Sequence, residues 1–187
     1  MEQYKVILVD DEVEVIDVMK KKIRWNDLGF DVVGSATNGV KALELVEKLQ
    51  PDVVLTDIKM PYMDGLELAR KLNQDYPNIY IMLCTGFDEF EYAKEAVHLE
   101  IKEYMLKPIS ATELSDSLVK LKNTLDKERE EKLKEIYEGL EEIKDQLTAM
   151  IDEYEEEETH TGKADELIEA LDALEDASET IEDVLED

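Results

Sequence analysis

Short apolar runs alternate with segments of helical spacing over the first two thirds of the chain. Each run is too short for a typical helix, and most of the runs are rich in β-branched or aromatic residues, which favours strands. The pattern therefore predicts five strands, at Tyr4–Val9, Phe30–Ala36, Val53–Thr56, Ile79–Cys84 and, more briefly, Glu103–Leu106.

The segments between these runs repeat apolar residues every three or four positions, as amphipathic helices do. This spacing predicts helices at Glu12–Trp25, Val40–Leu49, Leu66–Leu72, Tyr92–Leu99 and Leu114–Leu125. Strands that alternate with helices form a parallel sheet covered on both faces. The expected fold class is therefore α/β, with a doubly wound parallel sheet.

The last third of the chain contains two long heptad stripes, and Gly162 lies between them as a predicted turn. The pattern predicts an antiparallel helical hairpin or coiled coil. One pair of helices buries little surface, so a second copy, the preceding domain or a protein partner is expected to cover it. A solvated acidic pair without a partner is the alternative, and the periodic leucines argue against disorder. The stripes are Leu133, Ile136, Leu140, Ile143, Leu147, Met150 and Tyr154, and then Leu167, Leu171, Leu174, Ser178, Ile181 and Leu185.

Composition and charge divide the chain in the same place. The 187 residues carry a net charge of −28, and residues 126–187 alone hold six basic and 26 acidic residues. Two domains are therefore expected, at 1–125 and 126–187. Such an acidic tail is repelled by nucleic acid and by anionic membranes, so neither is expected as a partner.

Two further features indicate the compartment. No apolar run approaches the roughly 20 residues that span a bilayer. Cys84 is the only cysteine, so no internal disulfide can form. A cytoplasmic location is expected.

Polar residues stand at the ends of four predicted strands. Asp10 and Asp11 follow the first strand, Asp57 follows the third, Thr85 the fourth and Lys107 the fifth. In an open parallel sheet, functional groups gather beyond the carboxyl ends of the strands. These five side chains are therefore expected to converge on one edge.

The chemistry of this cluster is coherent, although each member alone would be an ordinary cap or turn residue. Three neighbouring carboxylates repel one another, and a divalent cation such as Mg²⁺ relieves the repulsion. One carboxylate can then attack a phosphoryl group and form an acyl phosphate. Lys107 can neutralise charge on the transferred oxygens, and the Thr85 hydroxyl can donate a hydrogen bond to one of them.

The segments that carry these residues resemble the receiver domain of bacterial two-component response regulators. They read "ILVDDE", "TNGVKALE", "PDVVLTDIKMPYMDGLEL", "LCTGFDEFEYAKEAV" and "EYMLKPI", and the resemblance covers about residues 1–125. The amino-acid sequence is most similar to those of receivers that precede AraC-type DNA-binding domains. The resemblance implies a flavodoxin-like (βα)5 fold with strand order 2-1-3-4-5.

The resemblance also implies roles for the cluster. Asp57 is the expected acceptor of a phosphoryl group from a sensor histidine kinase. Asp10, Asp11 and Asp57 are expected to hold Mg²⁺, with the main-chain carbonyl of Lys59 as a further ligand. Lys107 is expected to contact the phosphoryl group, just before a cis peptide bond.

A switch is implied as well. Thr85 and Tyr104 are the expected coupled pair, and they would alter the face formed by the predicted helix at Tyr92–Leu99, the fifth strand and the helix after it. A homodimer is expected through that face or through the 126–187 helices. The expected protein is a phosphorylated signalling protein, with no enzyme activity beyond self-phosphorylation and autodephosphorylation.

Three other interpretations account for parts of the sequence. A flavodoxin-type electron carrier needs a phosphate-cradling loop after the first strand, where this chain has acidic residues. A phosphatase of the haloacid-dehalogenase type has a second Asp two residues after its nucleophile, where this chain has Lys59. The third is a receiver joined to an unrelated helical segment that serves dimerisation or as a scaffold. The tail is not a basic AraC-type domain, so direct DNA binding is not expected.

Overall fold

The computed structural model describes residues 3–86, 99, 101, 103–156 and 161–186. The chain forms two compact units, Met1–Lys122 and Asn123–Asp187. Within the described ranges, no helix is both long enough and apolar enough to cross a membrane.

The first unit is built on a five-stranded sheet in which every neighbouring pair is parallel, in the order β2-β1-β3-β4-β5. This confirms the predicted fold class and strand order. The strands are β1 (Tyr4–Val9), β2 (Phe30–Ala36), β3 (Val53–Asp57), β4 (Tyr80–Thr85) and β5 (Glu103–Leu106).

Helices follow the strands as the apolar spacing predicts. They are α1 (Val13–Lys22), α2 (Gly39–Leu49), α3 (Gly65–Asp75) and α4 (Ala111–Glu156), with an additional 3-10 turn at Asn26–Leu28. The helix predicted at Tyr92–Leu99 falls almost entirely outside the described residues.

The core of the first unit lies on both faces of the central strands. All five residues of β3 are buried, and so are the last four of β1 and all six of β4. Strands covered on both faces read as continuous apolar runs, which is why the sequence pattern located them. These buried runs end in polar residues at the carboxyl ends of the strands. The candidate site is therefore expected at that edge of the sheet.

Glycine allows α3 to begin directly beside the end of β3. The Gly65 N–H donates a hydrogen bond to the Ile58 carbonyl at 2.8 Å. A β-carbon at Gly65 would lie 2.2 Å from the carbonyl oxygen of Asp57. The helix is then capped by Asp64, whose carboxylate accepts from the Glu67 N–H while the Glu67 side chain accepts from the Asp64 N–H.

The second unit is an antiparallel helical hairpin, as predicted. It consists of the carboxyl-terminal part of α4 and of α5 (Thr161–Glu186). Ser178 donates a hydrogen bond to Glu141 at 2.7 Å, and the Lys163 ammonium lies 5.9 Å from the centre of the Tyr154 ring. Contacts nearer the turn therefore pair later residues of α4 with earlier residues of α5.

The stripe predicted for α5 is confirmed, whereas the stripe predicted for α4 is partly wrong. Ile136, Ile143 and Met150 are 53, 47 and 43% exposed. The next residue along the chain in each case, Tyr137, Lys144 and Ile151, is more buried instead. The apolar band on α4 is wider than one seam, and the pairing with α5 uses only one side of it.

The predicted turn at Gly162 also needs correction. Helix α5 begins at Thr161, so Gly162 lies in its first turn. A residue inside the first turn of a helix already belongs to regular structure, so Gly162 does not mark a break between the helices. Residues 157–160, between the two helices, lie outside the part of the chain that the structure describes.

We predict that Gly65→Ala lowers the free energy of unfolding by about 1–3 kcal/mol, because the new methyl group must displace the backbone at the end of β3. Urea denaturation followed by circular dichroism measures the change. Gly86→Ala is the matched control, since a β-carbon there meets no atom of the described residues within 4 Å. Equal stability of the two variants would contradict the close approach of α3 to β3.

Candidate functional site

Four of the five polar residues predicted to converge lie at the carboxyl ends of the strands and are at least half-buried. Asp10 directly follows β1, Asp57 ends β3, Thr85 ends β4 and Lys107 directly follows β5. Asp10 and Asp57 are 2% and 7% exposed, and Thr85 is fully buried. The parallel sheet therefore brings an amine, two carboxylates and a hydroxyl to one edge.

The ammonium group of Lys107 lies between the two buried carboxylates. Its Nζ is 2.7 Å from Asp10 Oδ2 and 2.6 Å from Asp57 Oδ1. The other oxygen of Asp10 accepts a hydrogen bond from the Glu12 N–H at 2.9 Å, which fixes the carboxylate. Charged pairs at such distances are strong hydrogen bonds, and they connect three strand ends directly.

Burial and charge act in opposite directions on Asp57. Burial raises the pKa of Asp57, Lys107 lowers it, and the charges of Asp10 and Asp11 raise it again; the net result is above the ordinary value. Burial also lowers the pKa of Lys107, but its hydrogen bonds to Asp10 and Asp57 outweigh this, so its pKa is raised. The two carboxylates therefore favour the charged form of Lys107, whereas burial is the main reason why the pKa of Asp57 is raised.

Asp11 and Lys59 are exposed at this edge. Among the residues that the structure describes, no three Asp, Glu, His or Cys side chains form a ready metal cluster. The donor chemistry nevertheless fits Mg²⁺, which prefers carboxylate and carbonyl oxygens. Asp10, Asp11 and Asp57 carry three negative charges against the one positive charge of Lys107, so a divalent cation would balance the group.

The proposed switch residues lie on neighbouring strands. Thr85 is opposite Leu106, and Leu83 is opposite Tyr104. Residues two positions apart on a strand share a face, so Thr85 and Tyr104 are on the same face of the sheet. Tyr104 is half-buried and packs against the core, and the backbone N–H of Lys107 donates to the Thr85 carbonyl at 2.6 Å.

The turn after β3 packs against the start of α2. The Gly39 N–H donates to the Met63 carbonyl at 3.1 Å, and a β-carbon at Gly39 would lie 2.6 Å from Met63 Cγ. Tyr62 has a φ of 71° and is 89% exposed, a left-handed conformation that the sequence did not indicate. The peptide bond from Lys107 to Pro108 is cis, as the resemblance implies.

Sequence reasoning missed a pocket of about 500 Å³ beside the cluster. Its lining is mainly apolar and includes Val15 and Val18 of α1 and Ile109 and Leu114 near the start of α4, and Lys107 contributes to its wall. The one available signal was Val18, an apolar residue outside the predicted core stripe of α1 that is 48% exposed.

Comparisons with known proteins agree with this geometry. A family model described as "Response regulator receiver domain" matches residues 6–119. The uncharacterized transcriptional regulatory protein YesN of Bacillus subtilis is 44% identical over 115 residues, which are 62% of this chain and 31% of that protein. The transcriptional regulatory protein HptR of Staphylococcus aureus is 34% identical over 122 residues, which are 65% of this chain and 48% of that protein. The chain thus spans a third to a half of the length of these relatives.

Solved structures give the same result for the fold. The REC domain of AraT, a response regulator from Geobacillus stearothermophilus, superimposes with a TM-score of 0.65 at 37% identity and covers 67% of this chain and 98% of that one. A two component transcriptional regulator AraC from Clostridium phytofermentans gives a TM-score of 0.63 at 32% identity, with 68% of this chain and 98% of that chain covered.

We predict that Lys107→Met lowers the free energy of unfolding by roughly 3 kcal/mol at neutral pH, because it leaves two buried carboxylates without their cation. The loss should shrink as the pH falls towards about 4, where carboxylates take up protons. Urea denaturation at several pH values measures both effects.

Lys20→Met is the control for that variant. Lys20 is exposed, and its ammonium donates to a neutral hydroxyl, that of Ser35, at 2.9 Å. A loss in Lys107→Met that equals the control, or one that does not vary with pH, would contradict the bridging role of Lys107.

Proposed function

The chain belongs to the response regulator receiver domain family, and from this premise we propose that Asp57 accepts a phosphoryl group from a bacterial sensor histidine kinase. One observation carries the proposal: the Lys107 ammonium lies within 2.7 Å of both Asp10 and Asp57 at the ends of parallel strands. The match covers residues 6–119 and concerns the first unit.

The proposed transfer uses the Asp57 carboxylate as the nucleophile. One carboxylate oxygen forms a bond to phosphorus, and the bond between phosphorus and the imidazole nitrogen of the donor breaks. The electron pair of that bond stays on the nitrogen, so no oxidant or reductant is involved. The product is an acyl phosphate on Asp57. Because β3 is buried along its whole length, the nucleophile is held in a fixed position.

Lys107 and Thr85 are the proposed partners of the transferred group. Lys107 has a raised pKa, is positively charged at neutral pH and already contacts an oxygen of Asp57, so it is placed to neutralise the oxygens of the incoming phosphoryl group. Thr85 follows Cys84, the residue opposite Asp57 in the sheet. Its hydroxyl is proposed to donate a hydrogen bond to a phosphoryl oxygen.

Mg²⁺ is the proposed cofactor. Asp10, Asp11 and Asp57 would hold it through their carboxylates, together with the main-chain carbonyl of Lys59. The bound ion would supply positive charge against the phosphoryl oxygens. The residues of the chain would hold the nucleophile in place, since Asp10 and Asp57 are almost fully buried.

Phosphorylation is proposed to act through Thr85 and Tyr104. An acyl phosphate adds charge beyond that of the carboxylate, and this charge would draw the Thr85 hydroxyl towards the phosphoryl group. Tyr104 shares the face of Thr85 on the neighbouring strand and would fill the vacated space. The surface that changes would be the one formed by β5 and the helices beside it.

The remaining parts of the proposal concern domains, partners and location. Residues 1–125 would form the receiver, and residues 126–187 a helical tail for dimerisation or partner docking. A signalling protein of this kind has at most self-phosphorylation and autodephosphorylation activity. The tail has a net charge of −20, so the chain is not proposed to bind DNA. A cytoplasmic location would bring it to its kinase.

We predict that acetyl phosphate with Mg²⁺ adds one phosphoryl group to the chain and adds none to Asp57→Asn, because the amide is not a nucleophile. Intact-mass spectrometry measures the product. Asp75→Asn, at the exposed end of α3, is the control and should be labelled like the unchanged chain. Equal labelling of Asp57→Asn would overturn the assignment.

We also predict that Mg²⁺ stabilises the folded chain, by about 2.7 kcal/mol at a hundred times its dissociation constant. Trp25 is 5% exposed, so its fluorescence reports unfolding as the metal is titrated. Asp11→Ala should lose most of the stabilisation, whereas Asp17→Ala, an exposed acid on α1, should keep it. A response that is the same in both variants would place the metal elsewhere.

A further inference from the structure

The hairpin of the second unit has an apolar band on α4 that its own partner helix covers only in part. With Leu133 as heptad position a, positions a, d and e of α4 are almost all apolar or aromatic. A narrow two-helix seam needs only two such positions, whereas a helix in the core of a bundle needs three. The a and e residues are the more buried ones, and the d residues Ile136, Ile143 and Met150 are about half exposed.

Helix α5 repeats the same arrangement with smaller side chains. Its a and e positions are the half-buried or buried residues of the predicted stripe, from Leu167 to Leu185. Its d positions are Ala170, Ala177 and Val184, and Val184 is 51% exposed. We name the d residues of α4 the large row and those of α5 the small row.

The two rows lie on the same side of the hairpin. Both helices direct positions a and e towards each other, and position d follows about 60° from a on the side away from e. Because the helices are antiparallel, this rotation brings the d positions of both to one face. A polar group on the other side of the seam fixes the pairing, since Glu141 binds both Ser178 and Lys144, at 2.7 and 2.8 Å.

The rows are also level with each other. Glu141 faces Ser178, and a step forward along α4 corresponds to a step back along α5. Ile143 is therefore within one residue of the level of Ala177. The same count places Ile136 level with Val184 and Met150 level with Ala170. The large row extends for about 21 Å, given 1.5 Å per residue.

Most of the acidic charge of the tail lies away from this face. The g positions beside the two rows are uncharged at Gly139, Gln146, Ala173 and Thr180, and acidic at the turn end, at Glu153 and Glu166. The acidic residues of α5 from Glu169 to Glu186 all occupy positions b, c or f. In a unit that carries a net charge of −20, the exposed strip along the two rows from Ile136 to Met150 is thus both apolar and uncharged.

We propose that this face is a homodimer interface, in which two hairpins form a four-helix bundle. A two-fold axis parallel to the helices sets the large row of each copy against the small row of the other at the same level. Large side chains then meet small ones, which is how packed layers fill space. The face is thus complementary to itself, and a second copy is the partner that matches it in shape and brings no acid against acid between Ile136 and Met150. The inference deepens the tail part of the proposed function and does not depend on phosphoryl transfer.

The first test is sedimentation of the full chain and of two substituted chains. The unchanged chain should form dimers, more tightly at about 500 mM than at about 50 mM NaCl, because salt screens the repulsion between acidic tails. Ile143→Gln should weaken dimerisation at least about tenfold with the same helical content, since Ile143 is already exposed in the hairpin. Ile168→Gln, an exposed isoleucine at position b, should leave the dimer within about twofold.

A cross-linking test decides the pairing even if Ile143→Gln loses its helical structure. A chain with Ile143→Cys is mixed with a chain with Ala177→Cys under mild oxidation. The mixed disulfide should form much faster than either symmetric one, because the two-fold axis places the large row of one copy against the small row of the other. The native Cys84 does not interfere, since burial raises the pKa of its thiol to about 12.

Three results would overturn the proposal. They are a full chain that stays monomeric at both salt concentrations, a dimer that Ile143→Gln leaves unchanged, and symmetric Ile143→Cys disulfides in excess over the mixed one. Phosphorylation by acetyl phosphate distinguishes failure of the dimer proposal from failure of the proposed function. Ile143→Gln should be phosphorylated like the unchanged chain whether or not it dimerises.

Discussion

The contacts of one ammonium group with two buried carboxylates hold the candidate site together. Lys107 joins the end of β5 to the ends of β1 and β3 through Asp10 and Asp57. Two carboxylates buried side by side repel each other strongly, and breaking such a pairing by removing one partner is costly. The sheet holds the two carboxylates in fixed positions, since β1 and β3 are buried neighbours. The positive charge of Lys107 offsets the repulsion between them. Lys107 does not fully offset the burial of Asp57, which is the main cause of the raised pKa of that carboxyl.

Most of the first unit could be predicted because buried parallel strands leave a plain sequence signal. The bounds predicted for Tyr4–Val9, Phe30–Ala36 and Glu103–Leu106 are those observed. The location of the cluster followed from the polar residues that end these runs. The ion contacts of Lys107 could not be predicted, because they depend on the conformation of a long, flexible side chain. Nor could the conformation of Tyr62, a residue type that seldom has a positive φ.

The hairpin shows where a periodic pattern is ambiguous. Apolar residues at three heptad positions are compatible with two different seams, and the sequence alone does not say which seam α5 occupies. The structure places Tyr137, Lys144 and Ile151 towards α5 and leaves the d positions exposed. The wider band that misled the prediction is also the feature that points to a second copy.

The most direct test of the account is chemical identification of the phosphorylated residue. Reduction of an acyl phosphate by borohydride converts the aspartyl side chain to a hydroxyl-bearing one, which peptide mass mapping locates. After incubation with acetyl phosphate and Mg²⁺, the account predicts that Asp57 is the converted residue, with Asp10 and Asp11 unchanged. Conversion at another acid, or phosphorylation that borohydride does not convert, would contradict it.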